Sequence, residues 1–184
     1  MTQPTLFHTD AIVAGRSASA TISACGRYRY ALERTTGITG PNIAWVAMNP
    51  STADATKDDP TIRKVIGFSR QAGYGVALVV NLFAYRAKDV RECRLHVRSG
   101  DAEGPDNCAA IMAAASIADA VVCAWGPKPW AYDQADRVLA WLEEHPGGPP
   151  ALLCVGTAKG GAPLHPLFVP YEAGLRPFNP RRRA

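Results

Sequence analysis

The chain has 184 residues, 47% of them hydrophobic and 20% charged, a balance that supports a buried interior and excludes a disordered or fibrous polymer. Its formal net charge is +4, and three of those charges are Arg181, Arg182 and Arg183, so the rest of the chain stands at only +1. Five scattered cysteines with no C-x-x-C pair argue against a disulfide framework, and the four histidines have no ligand spacing, so neither a metal nor another cofactor is expected. No apolar run reaches membrane-helix length and the first ten residues lack a basic segment leading into an apolar one, which predicts a soluble, cytoplasmic protein with no membrane partner.

The expected organisation is an N-terminal extension over 1–19, one α/β domain over 20–177 and a basic tail over 178–184. From Ala20 to Thr35, small or aromatic residues alternate with polar ones around Gly26, which predicts an antiparallel hairpin. Ile43 to Met48 is an apolar run that stops at Asn49-Pro50 and reads as a buried strand. Asp59-Pro60 then opens a helix, the carboxylate as cap and proline at the first helical position, with Ile62, Val65, Ile66 and Phe68 inward and an end near Gly73.

A second buried strand, Val76 to Val80, runs into Asn81, and an irregular arginine-rich stretch follows. Asp106 caps a helix through Ala118, Ala120 to Trp125 forms a third strand closed by Gly126-Pro127, and Asp133 to Glu144 is an amphipathic helix. Ala151 to Val155 is the fourth apolar strand, ending at Gly156. Four such strands separated by helices predict an α/β fold: a mainly parallel four-stranded sheet, helices on both faces, and the hairpin at its start. Open sheets of this kind bind ligands at the carboxyl ends of their strands, where Asn49, Asn81, Trp125 and Gly156 fall.

The loop after the first strand, Asn49 to Asp54, holds an amide, the Ser51 and Thr52 hydroxyls and the Asp54 carboxylate. It reads either as a self-capping turn or as a site in which the amide meets a base edge or a water and Asp54 acts as general base. Asn81 is unusual at a strand end and suggests a ligand contact; Phe83 and Tyr85 beside it are core aromatics or a stacking surface. Arg86, Lys88, Arg91 and Arg94 form either a solvated loop or a phosphate-facing one. Thr157 and Lys159 sit in a glycine-rich segment that resembles an anion cradle without P-loop spacing, and His165-Pro166 follows in a loop.

The blocks RYRYALER, MNPSTADATKDDPTIRKVIGFSR, VVNLFAYRA, GPDN, CAWG and GTAKGGAPLHPLFVP, in this order over residues 22 to 177, resemble an uncharacterised bacterial and phage family known as domain of unknown function 1643. Ala47-Met48-Asn49-Pro50-Ser51 and His165-Pro166-Leu167 are also similar, more distantly, to the first motif and the late His-Pro-Ser motif of the uracil-DNA glycosylase superfamily, with Leu167 where that family keeps serine. That resemblance implies that Asn49 orients an attacking water, Asn81 bonds the base edge and His165 stabilises charge on the departing base, with a flipped or unpaired base as substrate. The expectation is a hydrolase that recognises a nucleobase or nucleotide; its alternatives are a nucleotide or small-molecule transferase and a non-catalytic nucleotide-binding module. The partner is a nucleobase, nucleotide or nucleic acid; the residues predict no oligomeric state.

Overall fold

The computed structural model describes residues 18–180, so the arginine tail and most of the expected N-terminal extension lie outside the described residues. The sheet has seven strands rather than the expected four parallel ones. Strands β3 (Asn42–Ala47), β4 (Val76–Asn81), β5 (Ala120–Cys123) and β6 (Ala151–Cys154) are the four predicted apolar runs. They pair in parallel in the order β4-β3-β5-β6. The hairpin of β1 (Ala18–Ile22) and β2 (Arg29–Thr35) extends this sheet, because β2 pairs antiparallel with β4, and β7 (Arg176–Pro177) adds an antiparallel edge to β6. These three strands escape the parallel pattern because a hairpin edge needs no crossover and a two-residue strand has no periodicity.

Burial explains the apolar runs. Ile43 to Val46 and Ala77 to Val80 are almost fully buried, and their alternate side chains feed two separate cores. One core holds Trp45, Val79, Ile62, Val65 and Phe68 under helix α1 (Pro60–Gln71); the other holds Val46, Leu78, Val80, Ile111 and Val138 under α3 (Asn107–Ile117) and α4 (Tyr132–Glu143). Each fully buried Ile, Leu or Phe contributes roughly 1.5–3 kcal/mol. Trp45 is buried whole because its indole N–H finds the Ser69 hydroxyl at 2.9 Å.

The arginine-rich stretch read as irregular contains helix α2 (Val90–Ser99). Asp89 accepts the Arg91 N–H and Gly100 closes the helix at φ 83°, while only Cys93 is fully buried. Phe178, in the expected tail, is buried edge-on against Trp125 with ring centres 6.3 Å apart. No helix among the described residues is long and apolar enough to cross a membrane.

One irregularity matters for the site. The β1–β2 register shifts between Thr21 and Ile22, whose partners are Ala31 and Arg29, so Tyr30 is an extra residue in the ladder. Simple alternation would send Arg29 and Arg34 to opposite faces; with the bulge, both reach the segment that follows β3.

Candidate active site

The strand order places the switch in chain direction at β3, whose neighbours β4 and β5 are reached on opposite sides. A cavity of about 890 Å³ opens there, beyond the carboxyl ends of the strands. Its walls come from the loop after β3 (Met48, Asn49, Ser51, Thr52), the starts of α1 and α2, the segment Trp125 to Lys128 after β5, and Leu164 to Val169.

Asn49 is fixed by its own amide. Its Nδ2 donates to the carbonyls of Pro50 and Ala87, both at 3.0 Å, which uses both hydrogens and leaves Oδ1 as the free polar end. The loop beyond is held from β2: buried Arg29 donates to the Ala53 carbonyl at 2.8 Å, and Arg34 donates to the Asp54 carbonyl and pairs with Asp58 at 2.7 Å. Asp59 closes the loop by accepting the Ile62 N–H at 2.9 Å as the cap of α1.

His165 lies on the opposite wall, half-buried. Its Nδ1 accepts the Leu167 N–H at 3.3 Å, so the neutral ring carries its proton on Nε2. Burial lowers its pKa from 6.5 to about 4, helped by the Lys128 charge and opposed by Asp59, so the ring is neutral at physiological pH. Gly126 lets the two walls approach: its φ of 80° suits glycine, and a Cβ there would stand 3.4 Å from the Cβ of His165. Trp125 is buried beneath, and Phe168 stands 83% exposed at the rim, its ring centre 5.9 Å from that of His165.

Of the residues expected to share a site, Asn49, Ser51, Thr52, Trp125 and His165 line this one cavity, and the other five do not. Asn81 is 1% exposed on the α1 side of the sheet, with no hydrogen-bond partner for its amide atoms among the described residues. Phe83 is buried on the other face, stacked on Trp130 at 5.8 Å, and Tyr85 stacks on His96 at 3.7 Å. Asp54 Oδ1 accepts the N–H and hydroxyl of Thr56 and the N–H of Lys57, a turn in which the Thr56 amide chiefly holds its pKa down. Thr157 and Lys159 are exposed outside the cavity, in a loop where the Ala158 N–H bonds Ala162 and the Gly161 N–H bonds Ala158, both at 2.8 Å.

Sequence reasoning passed over Lys128 and Phe168, although one follows a strand-ending Gly126-Pro127 and the other follows His165-Pro166. It read Asp59 as a cap only; the structure makes it both a cap and a wall residue. Among the described residues no three His, Cys, Asp or Glu side chains come together to hold a metal. No curated protein and no solved structure matches the chain, so the comparisons lend no support to the resemblance to uracil-DNA glycosylases. The sequence model of a family described as protein of unknown function, DUF1643, matches residues 29–167, three quarters of the chain, and the protein belongs to that family.

Proposed function

We propose that this cavity recognises the nucleobase of a nucleoside or nucleotide and hydrolyses the N-glycosidic bond that joins it to the sugar. The observation that carries the reading is that Asn49, from the end of the first parallel strand, and His165, from beyond the fourth, line one cavity over the buried Trp125. Two polar groups of complementary kind line it: an amide whose only free end is an acceptor, and a neutral imidazole whose free end is a donor.

The chemistry follows from those ends. Asn49 Oδ1 accepts a hydrogen from water and orients its oxygen toward the anomeric carbon. As the carbon–oxygen bond forms, the carbon–nitrogen bond breaks and its electron pair leaves with the base. His165 Nε2–H donates a hydrogen bond to the base oxygen on which that charge gathers, and the neutral ring stabilises it while keeping its proton. The water's proton passes to Asp59, whose Oδ1 is held by Ile62 while Oδ2 remains to receive it. Asp54, expected as the base, is tied up by Thr56 and Lys57.

Purified protein incubated with nucleosides, nucleotides and short single-stranded oligonucleotides should release free base detectable by mass spectrometry. Asn49→Ala and His165→Ala should each cut the rate at least about a hundredfold, as loss of one positioned group in such a site does. A non-catalytic binding module is the second reading, favoured by the position of Asn81 away from the cavity walls. Ligand binding without any release of base would establish it and remove the hydrolase.

A further inference from the structure

We propose that the mouth of this cavity is a phosphate subsite, and that the ligand is a nucleoside monophosphate rather than a free base or nucleoside. The inference rests on the base-binding reading above and names the ligand class. Four charged side chains line the cavity: Asp59, Lys88, Asp89 and Lys128. Both carboxylates cap helices, and only Asp89 also has a cationic partner among the described residues. Asp59 caps α1 through the Ile62 N–H, and Asp89 caps α2 through the Arg91 N–H at 2.8 Å and pairs with the Arg91 guanidinium at 2.6 Å. Both lysines are exposed, and their ammonium groups have no hydrogen-bond or ion-pair partner among the described residues. Asp89 is offset by Arg91 while Asp59 keeps its charge, so two lysines against one carboxylate leave a single positive charge.

Lys88 comes from the connection after β4 and Lys128 from the loop after β5, and since β4 and β5 flank β3, the lysines flank the Asn49 loop. Two helices of 12 and 10 residues, α1 and α2, begin on the same walls, where Asp59 and Asp89 cap them. Lys128 and His165 line the same cavity, and the Lys128 charge contributes to keeping His165 neutral. Ser51, Thr52 and Thr61, with hydroxyl donors, line the same cavity.

Two properties select a mononucleotide over a polymer. A cavity of about 890 Å³ suits one small molecule. The chain outside its arginine tail carries a net charge of only +1, too little for a surface that tracks a phosphate backbone. Two lysines match the two negative charges of a terminal monophosphate.

The test is calorimetric titration of the full chain with a panel of ribo- and deoxynucleoside monophosphates, the matching nucleosides, inorganic phosphate and a short single-stranded oligonucleotide. One monophosphate should bind at least about tenfold more tightly than its nucleoside, and phosphate should compete with it. The K88Q/K128Q double variant should bring that ratio close to one; since both side chains are exposed, its circular dichroism and melting temperature should match the parent. Equal affinity for nucleoside and monophosphate, an unchanged ratio in the double variant, tighter binding of the oligonucleotide, or no binding of any probe would overturn the proposal. Phosphate-dependent binding with no base release would remove only the hydrolase, whereas base release indifferent to phosphate would remove only this subsite.

Discussion

Protonating His165 should cost the folded protein stability in a defined pH window. The ring has its ordinary value of 6.5 in the unfolded chain and about 4 in the folded one, because burial disfavours the imidazolium and Lys128 repels it. The folded state therefore binds this proton less readily, so the group's contribution is fully present above the unfolded value and is lost as pH falls toward the folded one. The whole difference corresponds to about 3 kcal/mol, of which about 2 kcal/mol is lost between about pH 7 and about pH 4.5. H165N keeps an acceptor for the Leu167 N–H while removing the titration, and any constant packing cost cancels between the two pH values. Urea unfolding of both proteins at those two pH values should show the parent losing about 2 kcal/mol more than the variant. Equal losses would refute the reasoning that burial holds the ring neutral below its ordinary range.

Other perturbations separate structural from ligand roles. N81L removes a buried amide that has no partner among the described residues, so chemical denaturation should show stability unchanged or raised, by up to about 2 kcal/mol; a clear loss would reveal a hydrogen bond to that amide. R34Q breaks the ion pair to Asp58 and the bond to the Asp54 carbonyl, and hydrogen exchange should accelerate in residues 53–58 with a stability loss of about 1–3 kcal/mol. F168S alters a ring that is 83% exposed, so its melting temperature should hold within a degree or two of the parent while affinity for a base-containing ligand falls severalfold by titration.

What the sequence reveals, and what it hides, follows from how each residue is used. Strands buried on both faces must be continuously apolar, so β3, β4, β5 and β6 are visible as runs, and Asp59-Pro60 marks the start of α1 because capping and proline geometry are local. Helix α2 is hidden by its arginines, although Asp89, Glu92 and Gly100 carry a capping signature. Asn81 shows the limit of placing residues by strand ends. It pairs with Ala47 in a register that gives Trp45 and Val79 the α1 side, so its side chain turns into the sheet's covered face rather than toward the crevice. Arg29 and Arg34 are legible only once the bulge at Tyr30 is known, because five-residue spacing in a regular strand separates them. His165 and Asn49 stand far apart in the chain, and only the parallel order β4-β3-β5-β6 brings their loops to one cavity.

The most direct measurement of the central claim is the fate of solvent oxygen when the protein acts on nucleosides and nucleoside monophosphates in ¹⁸O-labelled water. Hydrolysis guided by Asn49 and His165 predicts free base together with one ¹⁸O atom on the anomeric carbon of the released sugar, followed by mass spectrometry and abolished in the Asn49→Ala protein. Free base with an unlabelled sugar would assign the bond cleavage to a transferase, and the absence of free base from every ligand that binds would leave the cavity as a binding site alone; either result contradicts the account.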